Sequence, residues 1–366
     1  MTTADQGAPA APSIDARQPV IGLLGALIIA VVLWLLFILP GMERSLFVLG
    51  PISTFWLPVL AVSALWWGGW PGNKLEGGRS AAGAGNTLLF AGSAVVLTYI
   101  GMLIVGPTSI SGMFTSGLES TTFPWTIPLA AVVFVVMLQL TFVTGKWPLH
   151  KLPAVQSGFA ALAVSWGVGL VLYWLFVDFT AFAPPEALDG IGIRNPGGFW
   201  GADDFVALLL SIVIWQIALT VLLGGWPFTS IKSDGARLAA FNGAVIGGGW
   251  VTYLILSTGF NAGQIAAIGG AATAAIFVCA MLFETWPFQG ASAAVSRAGV
   301  GGLALALTFA GYFGLRGLAN TLHTFQAAPV EFWVAVAALN FIAAMVILHY
   351  AVWGRWPLTP PAPPPE

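Results

Sequence analysis

Charged residues are scarce in this sequence, and the shortage limits what the protein can be. Only 7% of the 366 residues are Asp, Glu, Lys or Arg, whereas a soluble domain carries about 25%. The chain therefore cannot cover a soluble surface. Its net charge of −2 offers no basic face to nucleic acid. The sequence predicts the lipid bilayer as its main partner and predicts no nucleic-acid partner.

Residues that carry chemistry are also few. One cysteine, Cys279, excludes an internal disulfide and a cysteine metal cluster. His150, His323 and His349 lie in different segments, which disfavours a haem pair. The sequence has no Gly-x-Ser-x-Gly elbow, no phosphate-binding Walker loop and no His-Glu-x-x-His motif. It predicts no catalytic residue, metal or cofactor.

Long apolar runs take the place of these features. Hydrophobic residues make up 58% of the chain, and its mean hydropathy is +0.90. Because backbone groups in lipid must bond within their own segment, runs of about 20 apolar residues predict helices. We expect an all-α polytopic membrane protein, with a tail over 1–19, one membrane domain over 20–357 and a Pro-rich tail over 358–366. The ten predicted spans are 20–39, 45–69, 85–105, 125–146, 156–177, 201–225, 237–257, 262–285, 297–315 and 330–355.

A Trp-Pro pair follows every second span. A glycine stands two residues before the tryptophan in four copies, and Glu284 stands there in the fourth. We expect that glycine to loosen the last helical turn, the proline to end the helix and the tryptophan to anchor it at the interface. The pattern predicts five repeated helical hairpins, over approximately 20–71, 85–148, 156–227, 237–287 and 297–357. The tryptophans are Trp70, Trp147, Trp226, Trp286 and Trp356.

Two sets of side chains are candidates for a solute pathway. The first helix of each hairpin carries one aromatic residue past its midpoint, and we expect these five to face inward. The second helices carry polar residues 7 to 10 positions before the tryptophan, in one membrane layer. Buried polar groups in a membrane face the bundle interior, either as helix contacts or along a pathway. The aromatic set is Trp34, Tyr99, Tyr173, Tyr253 and Tyr312, and the polar set is Gln139, Gln216 and His349.

Three acidic residues are further candidates. Asp203 and Asp204 open the sixth span, where they either favour the helix start through its unpaired N–H groups and dipole or contact a cation or substrate. Glu284 opposes the dipole at a helix end. It is either an interfacial charge or a gating or proton-coupling group, and we expect a base such as Lys232, Arg237 or Arg297 beside it.

The basic residues assign the two sides of the membrane. Nine of the twelve Lys and Arg residues lie on the Trp-Pro side, so this side is predicted to be cytoplasmic. An even number of spans then places both termini in the cytoplasm. The predicted location is the plasma or inner membrane of the cell. The opposite side is acidic, and its longest loop, 178–204, holds six charged residues.

Three functions fit these observations. The first is a channel or facilitator-type transporter for a small or hydrophobic solute, because the spans carry no mid-membrane charge that could couple an ion. In hairpin number alone, the chain resembles the tellurite-resistance and slow-anion-channel family, whose five hairpins surround a pore, and it shares none of their motifs. The second is a non-catalytic subunit or scaffold, as a homo-oligomer or with a membrane-complex partner. The third is a membrane enzyme that uses Asp203, Asp204 or Glu43 on the acidic side.

Overall fold

Ten helices dominate the computed structural model, which describes residues 17–107, 109–117, 120–322 and 328–360. The predicted tails are described only over 17–19 and 358–360, and His323 lies outside the described residues. Short helices cover Ile110–Met113 and Pro185–Gly190, and two strands, β1 (Val177–Asp178) and β2 (Trp200–Gly201), pair in parallel. The ten helices are α1 (Val20–Ile38), α2 (Met42–Leu65), α3 (Gly78–Val105), α4 (Ile127–Val143), α5 (Ala154–Phe176), α6 (Ala202–Leu222), α7 (Asp234–Ser257), α8 (Ala262–Leu282), α9 (Ala293–Leu322) and α10 (Val330–Val352).

The prediction of a multi-pass helical membrane protein is confirmed. Within the described ranges, nine of these helices are long and apolar enough to cross a bilayer, and α4 is a shorter apolar helix. At 1.5 Å per residue α4 extends roughly 25 Å, slightly less than the hydrocarbon core of about 30 Å.

The helices form two layers. In α1, α3, α5, α7 and α9, only 22–33% of the most apolar window is buried in the protein, and these five are the outer helices. In α2, α6, α8 and α10 the buried share is 61–83%, and nearly every residue of Ile127–Leu138 in α4 is buried as well. The even-numbered helices are therefore the inner helices. The predicted aromatic residues of the first helices therefore lie on outer helices, and three of them, Tyr173, Tyr253 and Tyr312, are buried against the rest of the protein.

The inner helices follow one another around a closed ring. Trp66 of α2 donates from Nε1 to Thr141 Oγ1 of α4 at 2.9 Å. Helices α4 and α6 are joined through Gln216, and α6 and α8 pack at Gly269. Helix α8 meets α10 where Gly270 lies against the backbone of α10. Asn340 Nδ2 of α10 donates to Thr54 Oγ1 of α2 at 2.7 Å, which closes the ring.

Four of the five outer helices, α3, α5, α7 and α9, pack mainly against the inner helix that precedes them in the chain. Glycines permit the close approach: Gly101 of α3 meets Phe55 of α2, and a Cβ on Gly249 of α7 would lie 2.4 Å from Ile212 of α6. The hairpins predicted from the sequence pair each outer helix with the inner helix that follows it in the chain. The pairs with the most extensive packing instead consist of an inner helix and the outer helix that follows it after the Trp-Pro turn. Helix α1 lies beside α10.

The five Trp-Pro turns share one backbone geometry. The N–H before each tryptophan donates to a carbonyl six residues back, and the tryptophan N–H donates to a carbonyl three residues back. The two residues before each tryptophan have positive φ, including Glu284 at 49° and Arg355 at 63°. The glycine position is therefore a left-handed helix cap, rather than the loosened last turn that we expected. All five Trp-Pro peptide bonds are cis.

Candidate functional site

The axis of the inner ring holds a cavity to which all five inner helices contribute. Its volume is about 150 Å³, and it lies toward the Trp-Pro end. The lining is entirely apolar. It includes Leu57 of α2, Phe134 of α4, Val221 of α6, Phe277 of α8 and Leu339 of α10. Because no single helix could form it, this cavity is a property of the ring as a whole.

A second cavity of about 50 Å³ lies at the opposite end of the ring. Four inner helices line it, and Asp203 at the start of α6 is its one charged lining residue. Aromatic side chains cover this end: the ring of Phe123 lies 5.7 Å from that of Phe332, which lies 6.4 Å from Phe182 of the loop between α5 and α6. The two cavities lie at opposite ends of the ring, and packed side chains separate them.

Thr273 occupies the interval between the cavities on α8. Ala266 lines the smaller cavity, which lies far from the Trp-Pro turns (the far cavity), and Phe277 lines the larger one near those turns (the near cavity). Helical periodicity puts Thr273 on the same face of α8, between these two residues. Its side chain is fully buried, and its hydroxyl donates to Gly269 O at 2.9 Å. That hydroxyl is thus satisfied by its own helix, and the interval presents an essentially apolar surface.

The predicted polar layer comes together in part. Gln216 Nε2 donates to Gln139 Oε1 at 2.7 Å, and Gln139 Nε2 donates to Asn242 Oδ1 at 2.6 Å. Since Asn242 belongs to the outer helix α7, this chain of amides runs from the inner ring outward rather than along the axis. Gln216 Oε1 is buried and accepts no hydrogen bond within the described structure. The amides join three helices, and His349 lies elsewhere.

His349 faces a different cavity, at the seam between the first and last parts of the chain. This seam cavity has a volume of about 550 Å³ and is bounded by α1, α2, α3, α10 and the last Trp-Pro turn. The His349 side chain is buried, and Gly25 of α1 lies against its Nε2. The seam cavity is the larger apolar space, but it opens between outer helices rather than on the axis.

The five predicted aromatic positions lie apart. Trp34 is 54% exposed and packs near the end of α9, whereas Tyr173 and Tyr312 are buried and their hydroxyls find no partner among the described residues. Tyr99 is half-buried, and Tyr253 donates to Asp204 Oδ1 at 2.8 Å. None of them lines the axial cavities described above, because the outer helices that carry them do not reach the axis.

The two aspartates of α6 have separate environments. Both lie in the first turn of the helix, where the dipole favours negative charge. Asp203 faces the far axial cavity, whereas Asp204 is held by Tyr253. Nearby, hydrogen bonds from Thr180 and Asn195 hold the pKa of Asp178 below its ordinary value, and partial burial acts in the opposite direction. This loop is the acidic end of the axis.

The basic partner of Glu284 is Arg355, and not one of the three predicted residues. The two residues form an ion pair in which the Arg355 side chain is 2% exposed and the Glu284 side chain 19%. Gln18 Nε2 also donates to Glu284 Oε2 at 3.4 Å. Arg237 instead pairs with Asp234, and Arg297 lies over the Trp226 ring. The carboxylate therefore joins the last two Trp-Pro turns and lies outside the axial path.

Sequence reasoning missed three side chains: Arg355, Asn242 and Trp56, which lines the seam cavity and has a buried indole N–H without an acceptor in the described structure. Arg355 and Glu284 stand at the two positions before a Trp-Pro tryptophan that have positive φ, where glycine is common in the other turns. The available signal was Glu284, which replaces the glycine of the other four turns, whereas Lys146 and Thr285 also replace glycine at the position of Arg355. Asn242 and Trp56 carry no such signal, because their roles depend on which helices become neighbours.

Comparison with known proteins finds no match. This holds for protein-family models, curated proteins and solved structures alike. The function is therefore argued from the geometry of the chain itself.

Proposed function

We propose that the protein is a membrane channel or facilitator that conducts a small, uncharged or hydrophobic solute along the axis of its inner helices. One observation carries this proposal: residues from all five inner helices line a common cavity, and a second cavity lies at the other end of the same ring. In this proposal the path is closed, because packed side chains separate the two cavities.

The lining selects the class of solute. Moving an ion through an apolar interval is costly unless charges or polar groups replace its water, and here the only charged lining residue is Asp203 at the far mouth. An apolar constriction can also close a pore by excluding water. Phe134 and Phe277 in the near cavity are the residues that we assign to such a constriction.

The proposal includes five copies of one structural unit and ten membrane crossings. The recurring φ values and hydrogen bonds of the Trp-Pro turns support the repeat. The excess of Lys and Arg on the Trp-Pro side supports a cytoplasmic location for these turns and both termini. We expect an impermeant thiol reagent to label a cysteine at Asp189 from outside intact cells, and one at Lys74 only after permeabilisation. The reverse pattern would invert the topology.

A non-catalytic membrane subunit is the second candidate. The small volumes of the axial cavities and the apolar outer helices favour it, because such surfaces suit contacts with lipid, a second copy or a membrane-complex partner. A membrane enzyme remains the third candidate, with Asp204 and its partner Tyr253 on the acidic side. Such an enzyme would lose turnover in the Asp204→Asn variant, whereas solute flux along the axis would persist.

Liposome flux measurements separate these functions. We expect liposomes that contain the protein to take up glycerol faster than empty liposomes in stopped-flow light scattering, with no increase in chloride flux. Phe134→Ala and Phe277→Ala should raise the rate, and Ala343→Trp should lower it, because Ala343 lines the same cavity.

The matched control is Phe309→Ala, since Phe309 is a 40% exposed residue of the outer helix α9. It should leave the rate unchanged. Glycerol and urea rates equal to those of empty liposomes in every axial variant would refute conduction along the axis and favour the subunit role.

A further inference from the structure

The seam cavity differs from the axial cavities in how it is bounded. Two outer helices, α1 and α3, flank it, and α2 and α10 form its inner walls. Outer helices α3, α5, α7 and α9 each follow directly from the inner helix on which they pack, whereas α1 reaches α10 from the other end of the described chain. Because α1 and α3 both belong to the outer layer, the gap between them lies on the side of the ring where a membrane protein meets lipid.

Its volume and lining are those of a ligand site. Small-molecule sites enclose about 300–1,000 Å³ and combine apolar walls with a few polar atoms, and the seam cavity encloses about 550 Å³. Ile29 and Phe37 of α1, Ala94 of α3 and Met345 of α10 are among its apolar residues. Only a molecule with a long apolar body suits such walls.

Most polar groups around the cavity already have partners. Trp353 Nε1 donates to Thr87 Oγ1 at 3.0 Å, Thr87 Oγ1 donates to Gly83 O, and Ser53 Oγ donates to Gly50 O. These groups need nothing from a ligand. They also show that this region satisfies its polar atoms internally wherever a partner is within reach.

Two groups on the walls are exceptions. His349 is 7% exposed, and its imidazole makes no hydrogen bond with the described residues although it lines the cavity. Trp56 Nε1 is buried and has no acceptor within the described structure. An unpaired polar group in the hydrocarbon region costs several kcal/mol. Both side chains line the cavity. The Trp56 N–H, which is only a donor, lies beneath the cavity surface, so the indole ring must turn toward a bound oxygen to donate to it.

We propose that the seam cavity binds a long-chain membrane lipid whose uncharged head carries carbonyl oxygens that accept hydrogen bonds from Trp56 and His349. Isoprenoid quinones and acyl-ester lipids share this chemistry. The head lies between α2 and α10, and the chain follows the apolar faces of α1 and α3 toward the bilayer. This site is separate from the axial path.

Native mass spectrometry of the full chain in mild detergent tests the proposal. The probes are decylubiquinone in one series and a diacylglycerol, which has an uncharged head with acyl-ester carbonyls, in the other, so that the two sources are distinguished. We expect one molecule of at least one probe to bind the wild-type protein. Trp56→Phe and His349→Leu should each weaken its binding about fivefold, since a net hydrogen bond contributes about 1 kcal/mol, and the double variant more than tenfold.

Two further variants keep the result interpretable. Ala91→Phe fills the cavity from α3 without removing a polar atom, and it should abolish binding even if the polar variants unfold. Trp174→Phe on the exposed face of α5 is the matched control and should bind like the wild-type protein. Binding that is equal in the wild type, the double variant and Ala91→Phe, or no binding of either probe, would overturn the proposal. Phe277→Ala should retain binding, so failure here is distinct from failure of the axial pathway.

Discussion

Two replacements of Glu284 separate the contribution of its ion pair to stability from the contribution of its backbone conformation. The carboxylate partners Arg355, whose side chain is 2% exposed, and Glu284 itself has a φ of 49°. Removing one member of a buried pair typically destabilises a protein by about 3–5 kcal/mol, because the other charge stays buried. A non-glycine residue in the left-handed region carries an opposing cost of about 1–2 kcal/mol.

These magnitudes predict an order of stability. Glu284→Gln loses the pair and keeps the unfavourable φ, so the free energy of unfolding should fall by about 3–5 kcal/mol. Glu284→Gly loses the same pair but relieves the backbone, and it should be more stable than Glu284→Gln by about 1–2 kcal/mol. The double variant Glu284→Gln with Arg355→Gln should be less destabilised than the sum of the two single variants.

Unfolding by sodium dodecyl sulfate in mixed micelles, followed by circular dichroism, measures these differences. The control is Asp234→Asn, which removes an exposed pair: the side chains of Arg237 and Asp234 are 43% and 88% exposed. Such a pair contributes about 0–1 kcal/mol. If Glu284→Gln cost no more than this control, or if Glu284→Gly were the less stable of the two Glu284 variants, the reasoning would be refuted.

Two other predictions concern groups outside the axis. Gln139→Leu removes both hydrogen bonds of the amide chain and leaves Asn242 Oδ1 and one Gln216 donor unpaired. It should therefore destabilise the protein by about 1–3 kcal/mol in the same assay. Gln139→Glu should destabilise the protein further. Asp178 has a lowered pKa in the folded state, so its ionised form stabilises the loop above the unfolded-state pKa. This contribution is lost as the pH falls through the folded-state pKa. The protection factors of amides over 177–201, which correct for the slower intrinsic exchange at low pH, should fall on acidification in the wild type, and Asp178→Asn should remove that pH dependence.

Hydropathy predicted the helices well but could not sort them into layers. The window in α1 has a mean hydropathy of 3.0 and is 28% buried, whereas the window in α2 has 1.8 and is 83% buried. Lipid chains are as apolar as a protein core, so hydrophobicity does not distinguish the two environments. Hydropathy accordingly did not indicate that the helices with the predicted aromatic residues form the outer layer, and none of these residues lines the two axial cavities.

Position within the helix was a better guide than residue type. Gln139 and Gln216 were predicted to share a layer because both precede a Trp-Pro pair by similar intervals, and they form a hydrogen bond. His349 shares their interval but not their neighbours, because it lies on α10 at the seam. The sequence specifies the depth of a side chain in the membrane, while its partner depends on ring order, which a single sequence does not display.

The position of α1 makes ring order testable. Gln18, just before α1, contacts Glu284, and Arg355, just after α10, contacts the same carboxylate. The two ends of the described chain therefore lie close together on the Trp-Pro side. A short flexible linker from Pro360 to Arg17 could span them, with new termini at Gly41, where the chain passes between α1 and α2 in a positive-φ conformation with open space around it.

We expect this circular permutant to fold, since termini that are near each other and an exposed connection favour permutation. Its α1 would then follow α10 as the other outer helices follow their inner helices. The measurement is the free energy of unfolding in mixed micelles, together with the Glu284→Gln effect in the permuted background. A permutant that is as stable as the wild type and retains that effect supports a ring of five equivalent places. A permutant that fails to fold, while one opened instead in the loop after Gly259 does fold, would mean that the covalent link between α1 and α2 sets the packing of α1, and the seam would not be a place in a repeated ring.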